Sequence, residues 1–340
     1  ARGTVAWHGI DTAADPTIAG ARVEALAALD ANVVKVAATL QDPWSALRFV
    51  GDATAAGARL GVPLAGIAMG AAGRYLRPLA GKFGMPLLYA AAHPSRRTAA
   101  GQLTVREAIE LFRVAGIRPA TRVFAVAGGD VTRSLSPKAH NHAMAALGSD
   151  AVYVSIDAED FGDVIRVARE LPLHGVSVTS PHKAAALALA DEADALAVAI
   201  GAANTLLRDD AGRLHATNTD AAGFAAGLDV AVADPQAMRE LTVGHAFDAL
   251  LQLDGQHALN GRKPVRTALV FGTGGAARAI AYALRARGVA VTVTGRDPAA
   301  ATAMVLALGA GLTAVSPERA SSLSFDLLVK AVPDLPDDDL

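Results

Sequence analysis

No cysteine occurs among the 340 residues. That excludes disulfides, thiolate metal sites and a cysteine nucleophile. Aromatic residues make up only 4%, so any core must be aliphatic and alanine-rich. Neither sign of charge dominates: 31 Lys and Arg against 33 Asp and Glu leave a formal net charge of -2. A nucleic-acid binder would present a strongly basic face, so that class is disfavoured. No uncharged apolar run reaches the roughly 18 residues of a spanning helix. Residues 1–8 lack the apolar block of a signal peptide. What is present is hydrophobic material, 52% of the chain, ample for large cores and against disorder. The expectation is a cytoplasmic α/β protein acting on small molecules, without a metal, a nucleic-acid partner or a membrane partner.

Short apolar strands alternate with longer helical patterns, the signature of βαβ units and parallel sheets. Residues 1–118 read as four such units, with strands at 4–7, 32–38, 64–69 and 86–91. Four units make half of a (β/α)₈ barrel, so a partial barrel is expected. Residues 119–233 read as an α/β domain with strands at 122–127, 151–156 and 175–178 and a hairpin over 203–217. Residues 234–264 are polar and read as an insertion or linker. Residues 265–340 begin a dinucleotide-binding fold: strand 267–271, glycine turn, helix 276–287, strand 290–294, helix 298–308 and strand 325–329. Only its first half is expected before Leu340.

Gly272-Thr-Gly274-Gly275-Ala276-Ala277 fits the G-x-G-x-x-G/A turn. Its glycines let the backbone approach a pyrophosphate, and the helix start behind them supplies N–H donors. At the end of the next strand stands Arg296, where an NAD site usually carries an acidic residue. Arg296 is therefore either a solvated arginine or the partner of a 2′-phosphate, the latter favouring NADP. In the middle domain, Ser134 and Ser136 flank a helix start, suited to a carboxylate or to plain capping. Thr179 and Lys183 close a strand and open a helix, at the sheet edge where ligands bind. Asn204 and Asp220 follow, and a Lys183–Asp220 pair suits proton transfer at a carbonyl or alcohol.

In order, Ser-x-Ser-Pro, Val-Thr-x-Pro-x-Lys, Gly-Ala-x-Asn-Thr, Asn-Thr-Asp-x-x-Gly-Phe and Gly-x-Gly-Gly-Ala resemble shikimate dehydrogenase. The resemblance covers about 121–230 and 265–330. It implies reduction of 3-dehydroshikimate to shikimate by NADPH. It assigns Ser134 and Ser136 to the substrate carboxylate, Thr179, Asn204 and Asp220 to ring hydroxyls, and Lys183 with Asp220 to catalysis. Gly272, Gly274, Gly275, Ala276 and Arg296 would hold NADP. Three positions depart from the pattern: Ser177, Arg133 and Lys330 stand where the family commonly has Asn, His and Asn.

In the first block, Lys35 lies within the apolar strand Val33-Val34-Lys35-Val36-Ala37, and His8 ends an earlier strand. An apolar setting lowers a lysine pKa and favours a nucleophilic amine. The other reading is an edge lysine that snorkels to water. Together with Arg77, Thr98 and Gln102, this set resembles the C-terminal half of type I 3-dehydroquinate dehydratase. That resemblance implies a Schiff base from Lys35 to 3-dehydroquinate, with His8 moving the proton. Arg77 would bind the carboxylate, and Thr98 and Gln102 would contact the substrate. The two resemblances together imply a fused shikimate-pathway enzyme. Two alternatives stay open: a quinate-preferring dehydrogenase, and a non-catalytic remnant or metabolite-sensing regulator.

Overall fold

The computed structural model describes residues 3–9, 15–233 and 265–332. The linker expected over 234–264 lies outside them. The chain divides into two compact units. One holds Ala1–His182 with Leu207–Leu214, the other Lys183–Leu206 with His215–Leu340.

The first unit opens with β1 (Thr4–Gly9), α1 (Ile18–Ala27), β2 (Val33–Thr39), α2 (Pro43–Leu60) and β3 (Leu64–Met69). The three strands form a parallel sheet in the order β1-β2-β3, with Lys35 level with Ala6 and Ala65. α2 shows why these residues become helix. Asp42 caps it, accepting from Ser45 N at 2.7 Å, and Pro43 occupies the first turn, where its missing N–H costs nothing. Gly61, at φ +64°, ends it in the left-handed region that glycine enters without strain. Its inner face, Ala46, Phe49, Val50, Ala53 and Ala56, is fully buried.

The strand expected at 86–91 is not formed. That stretch begins in a bend and has no strand pairing among the described residues, apart from a single bridge between Ala91 and Thr104. Pro86 has no N–H to donate, and among the described residues β3 pairs only with β2. Of the four strands expected for a half-barrel, three form, in an open parallel sheet.

Next come β4 (Arg122–Gly128), α3 (Ser136–Ala146), β5 (Ala151–Asp157), α4 (Phe161–Glu170) and β6 (Leu173–Val178). Their strands run parallel in the order β5-β4-β6. Asn141 clamps α3 to β5: its side chain donates to Tyr153 O at 2.8 Å and accepts from Tyr153 N at 2.9 Å, all of it buried.

The second unit contains α5 (Lys183–Leu189), β7 (Glu192–Ala193), α6 (Ala195–Ile200) and α7 (Asp220–Ala233). β8 (Thr205–Arg208) and β9 (Leu214–Thr217) form the expected hairpin, and the turn between them belongs to the first unit. A four-stranded sheet follows, built from β10 (Thr267–Phe271), α8 (Gly275–Ala286), β11 (Ala290–Thr294), α9 (Pro298–Leu308), β12 (Leu312–Ala314), α10 (Pro317–Ala320) and β13 (Leu327–Lys330). Its parallel order, β12-β11-β10-β13, reverses direction beside β10. Such a reversal is where open α/β sheets bind ligands. α8 is buried on two sides. Ala277, Ile280, Ala281 and Leu284 face the sheet, and Ala279 and Ala283 face Ile200, Ala202 and Ala221. Alanine permits this close approach on both sides, which the aromatic-poor composition anticipates. Among the described residues, no helix is long and apolar enough to cross a membrane.

Candidate functional site

The second unit gathers the central cluster. β9 delivers Asn218 and Thr219 to the start of α7, and Asp220 is that helix's first residue. Buried Asn218 holds the helix start: it donates to Ala202 O at 2.8 Å and accepts from Asp220 N at 3.0 Å. Lys183 Nζ donates to Asp220 Oδ2 at 2.5 Å. Asn204 Nδ2 donates to the other carboxylate oxygen at 2.6 Å, and Asn204 Oδ1 accepts from Thr219 N at 2.9 Å. Ala203 N donates to Lys183 O at 2.8 Å, which ties the Asn204 segment to α5. Asp220 is thus oriented on both oxygens. An amine and a carboxylate fixed this way can pass a proton to and from an oxygen placed beside them.

The glycine turn lies in the same unit. Gly272 adopts φ +130°, and a side chain there would strike Ala331 O at 2.7 Å. Only glycine suits that position. Nothing lies within 4 Å of where a Gly274 side chain would be, so the backbone there is open to a ligand. α8 starts behind it, and no side chain caps its first N–H groups. Those donors, at the positive end of a helix dipole, fit a pyrophosphate. Ala276 is the second residue of α8, half-buried. Arg296 is exposed after β11, and its neighbour Asp297 is engaged in capping α9 through Ala299 N at 2.9 Å. The residues present fit a dinucleotide with a 2′-phosphate.

The first unit holds the remaining expected residues of the dehydrogenase set. Ser134 Oγ accepts from Ser136 N at 3.2 Å, at the start of α3. Thr179 N donates to Ala127 O at 2.9 Å just beyond β6. Both groups lie past the carboxyl ends of adjacent strands β4 and β6. Ser177 accepts from the Tyr153 hydroxyl at 2.8 Å.

A second cluster lies on β1–β3. His8 and Lys35 share a face of adjacent strands, two residues out of register. Burial and then the nearby Arg77 guanidinium pull the Lys35 amine below its ordinary value. Burial and the Lys35 charge pull His8 down as well. Arg77 is 7% exposed, and burial lowers it to about 10. Its Nε and one terminal nitrogen are buried without a partner. Such orphaned donors are costly unless an anion meets them. Tyr89 was not anticipated: its ring lies 4.4 Å from Lys35 Nζ. A lone Tyr in an irregular stretch offers no periodic signal, so only the fold could reveal it. The hollow that Arg77 and Tyr89 line holds about 20 Å³, room for one water. Gln102 Oε1 accepts from Thr98 N at 2.8 Å, and the pair is not joined to Lys35 by any hydrogen bond among the described residues. Gln102 also lines a separate cavity of about 210 Å³ with Arg74, Arg97, Glu107, Thr132 and Asp157. No group of three or more His, Asp or Glu that could hold a metal occurs among the described residues.

A glycine turn at a sheet's reversal point, with a Lys–Asp pair in the same unit, is the arrangement of a dinucleotide-binding α/β domain. Comparison with known proteins narrows the class. Residues 126–206 match the shikimate dehydrogenase substrate binding domain, and residues 5–119 match type I 3-dehydroquinase. The chain is 32% identical to a shikimate dehydrogenase (NADP(+)) of Lysinibacillus sphaericus over 211 residues, 61% of this chain and 67% of that protein. It is 30% identical to the chloroplastic bifunctional 3-dehydroquinate dehydratase/shikimate dehydrogenase of Arabidopsis thaliana over 283 residues, 82% of this chain and 43% of that one. A crystal structure of shikimate dehydrogenase from Aquifex aeolicus matches with TM-score 0.50 and 26% identity, over 66% of this chain and 74% of that one. The chain belongs to the shikimate dehydrogenase family and carries a type I 3-dehydroquinase region before it. It spans 43% of the Arabidopsis relative and 67% of the Lysinibacillus one.

Proposed function

We propose that the chain catalyses the NADPH-dependent reduction of 3-dehydroshikimate to shikimate. The observation that carries this reading is the Lys183–Asp220 pair at 2.5 Å, in one unit with the glycine turn. In the reaction, charge builds on the C3 oxygen as its carbonyl is reduced. Lys183 donates a hydrogen bond to that oxygen and hands it a proton, while Asp220 holds the lysine and accepts from a ring hydroxyl. Asn204 fixes the Asp220 carboxylate and faces the same hydroxyls. Ser134 and Ser136 take the substrate carboxylate, and Thr179 takes a ring hydroxyl. Gly272, Gly274, Gly275 and Ala276 offer backbone to the pyrophosphate, and Arg296 meets the 2′-phosphate. The bound dinucleotide supplies the hydride.

In the preceding region, we propose that Lys35 is an imine-forming amine toward the ketone of 3-dehydroquinate. His8 serves as the proton carrier and Arg77 as the carboxylate partner, with Thr98 and Gln102 in contact with the substrate. The lowered Lys35 amine and the orphaned Arg77 donors support this. The boundaries 1–118, 119–233, 234–264 and 265–340 remain our proposed division into domains. We place the activity in the cytoplasm, where a chain without cysteine needs no disulfides.

The test is NADPH formation from NADP⁺, with shikimate and quinate compared at equal concentrations and a Lys183→Ala control. Turnover with shikimate that exceeds quinate and vanishes in the control is expected. Faster quinate oxidation would reassign the substrate. Ligand binding without any turnover would overturn the enzymatic reading.

A further inference from the structure

Gly275, the first residue of α8, has an ordinary backbone. It is not among the glycines with positive φ, so its backbone does not demand glycine. Its missing side chain answers to something else. A Cβ at 275 would stand 2.7 Å from Lys183 Cβ, 2.8 Å from Cδ and 3.2 Å from Cγ. These atoms form the root and stem of the lysine, not its mobile tip. The root is held by the Lys183 O to Ala203 N bond and the tip by Asp220. The stem has no cheap way to move. Gly274, one residue earlier, meets nothing within 4 Å. Two adjacent glycines in one turn therefore face different demands.

We propose that Gly275 is a positioning residue for Lys183. The bare turn forms a floor under the lysine stem, and that floor sets where Nζ stands relative to Asp220 and the reacting oxygen. Gly274 is left to serve the nucleotide. A side chain at 275 lifts the stem and draws Nζ off its carboxylate. This inference rests on the dehydrogenase reading.

The test uses the full chain with Gly274→Ala and Gly275→Ala made separately. NADP⁺ affinity is measured by calorimetry, kcat for shikimate oxidation is followed across pH, and thermal stability is recorded. Gly275→Ala is expected to lower kcat at saturating NADP⁺ about 10- to 100-fold and displace the pH profile of kcat, because displacements near 1 Å carry costs of that order. Gly274→Ala is expected to weaken NADP⁺ binding about tenfold or more, a loss of one charge-assisted contact, without displacing the pH profile of kcat. Gly275→Ala losing NADP⁺ affinity with kcat intact would overturn the proposal, as would no effect on either. Should the parent chain show no turnover, the dehydrogenase reading fails first. The Gly275 contact is then judged by stability alone, repeating Gly275→Ala in a Lys183→Gly background. Non-additive Tm changes support the contact, and additive ones overturn it.

Discussion

Replacing Asp220 with Asn separates the chemistry of the Lys183–Asp220 pair from its contribution to folding. The substitution keeps the size of the side chain, and one amide oxygen can still accept from Asn204. The other end becomes an NH₂ group aimed at the Lys183 ammonium 2.5 Å away, so two donors meet and Nζ must move. Stability should change little. The lysine and aspartate side chains are 15% and 28% exposed, so the pair is partly buried yet still reached by solvent. Such pairs contribute about 1 kcal/mol. That corresponds to a Tm decrease of about 2–4 °C. Catalysis should change much more, because positioned acid–base groups supply about 10² to 10⁴ in rate. Steady-state NADPH formation from shikimate and NADP⁺, alongside thermal melts, gives both numbers. The reasoning predicts a kcat loss of at least about a hundredfold with a melt within a few degrees of the parent. A variant with kcat within twofold of the parent would refute it.

Other consequences follow from the same geometry. Arg296→Ala should raise KM for NADP⁺ about ten- to a hundredfold while NAD⁺ kinetics stay level, as expected for losing a charged hydrogen-bond partner. Equal losses with both cofactors would deny Arg296 its 2′-phosphate role. Asn218→Ala removes the buried link between Ala202 O and the start of α7. It should cost about 1–3 kcal/mol in urea unfolding, and an unchanged midpoint would contradict the structural account. Lys35 is held below the ordinary lysine value by burial and then by Arg77. Its neutral, nucleophilic form therefore appears at lower pH than in a surface lysine. Borohydride trapping with 3-dehydroquinate should label Lys35 at a pH where exposed Lys138 stays unmodified. Arg77→Gln should move the midpoint of trapping upward by removing a positive neighbour. A midpoint that stays fixed or falls would show that Arg77 does not act on the amine.

Much of the local architecture was legible because it is encoded locally. The strands 64–69, 267–271 and 290–294 are apolar runs bounded by turn residues, and they occur at those residues. The glycine turn announces itself by spacing, and Asp297-Pro298 announces the cap of α9. The failures are nonlocal. Residues 86–91 carry a strand-like composition, yet a strand needs a neighbour to pair with, and Pro86 withholds a donor. β12 and α10 are three and four residues long, too short to show a period. The pairing of Lys183 with Asp220 joins residues 37 apart in sequence. Motif order suggested that pairing, but its second oxygen partner came from the resemblance only as a substrate contact. No motif reports the contact of Tyr89 with Lys35 or of Gly275 with Lys183, because each depends on which backbone passes behind a side chain.

The central claim is that this chain moves a hydride between C3 of shikimate and a nicotinamide. The most direct measurement is to incubate the purified chain with NADP⁺ and shikimate deuterated at C3, then examine the reduced cofactor by mass spectrometry. The account predicts one deuterium per NADPH formed, with none transferred by Lys183→Ala. Reduced cofactor without the label, or no reduction by a folded chain that binds both ligands, would contradict it.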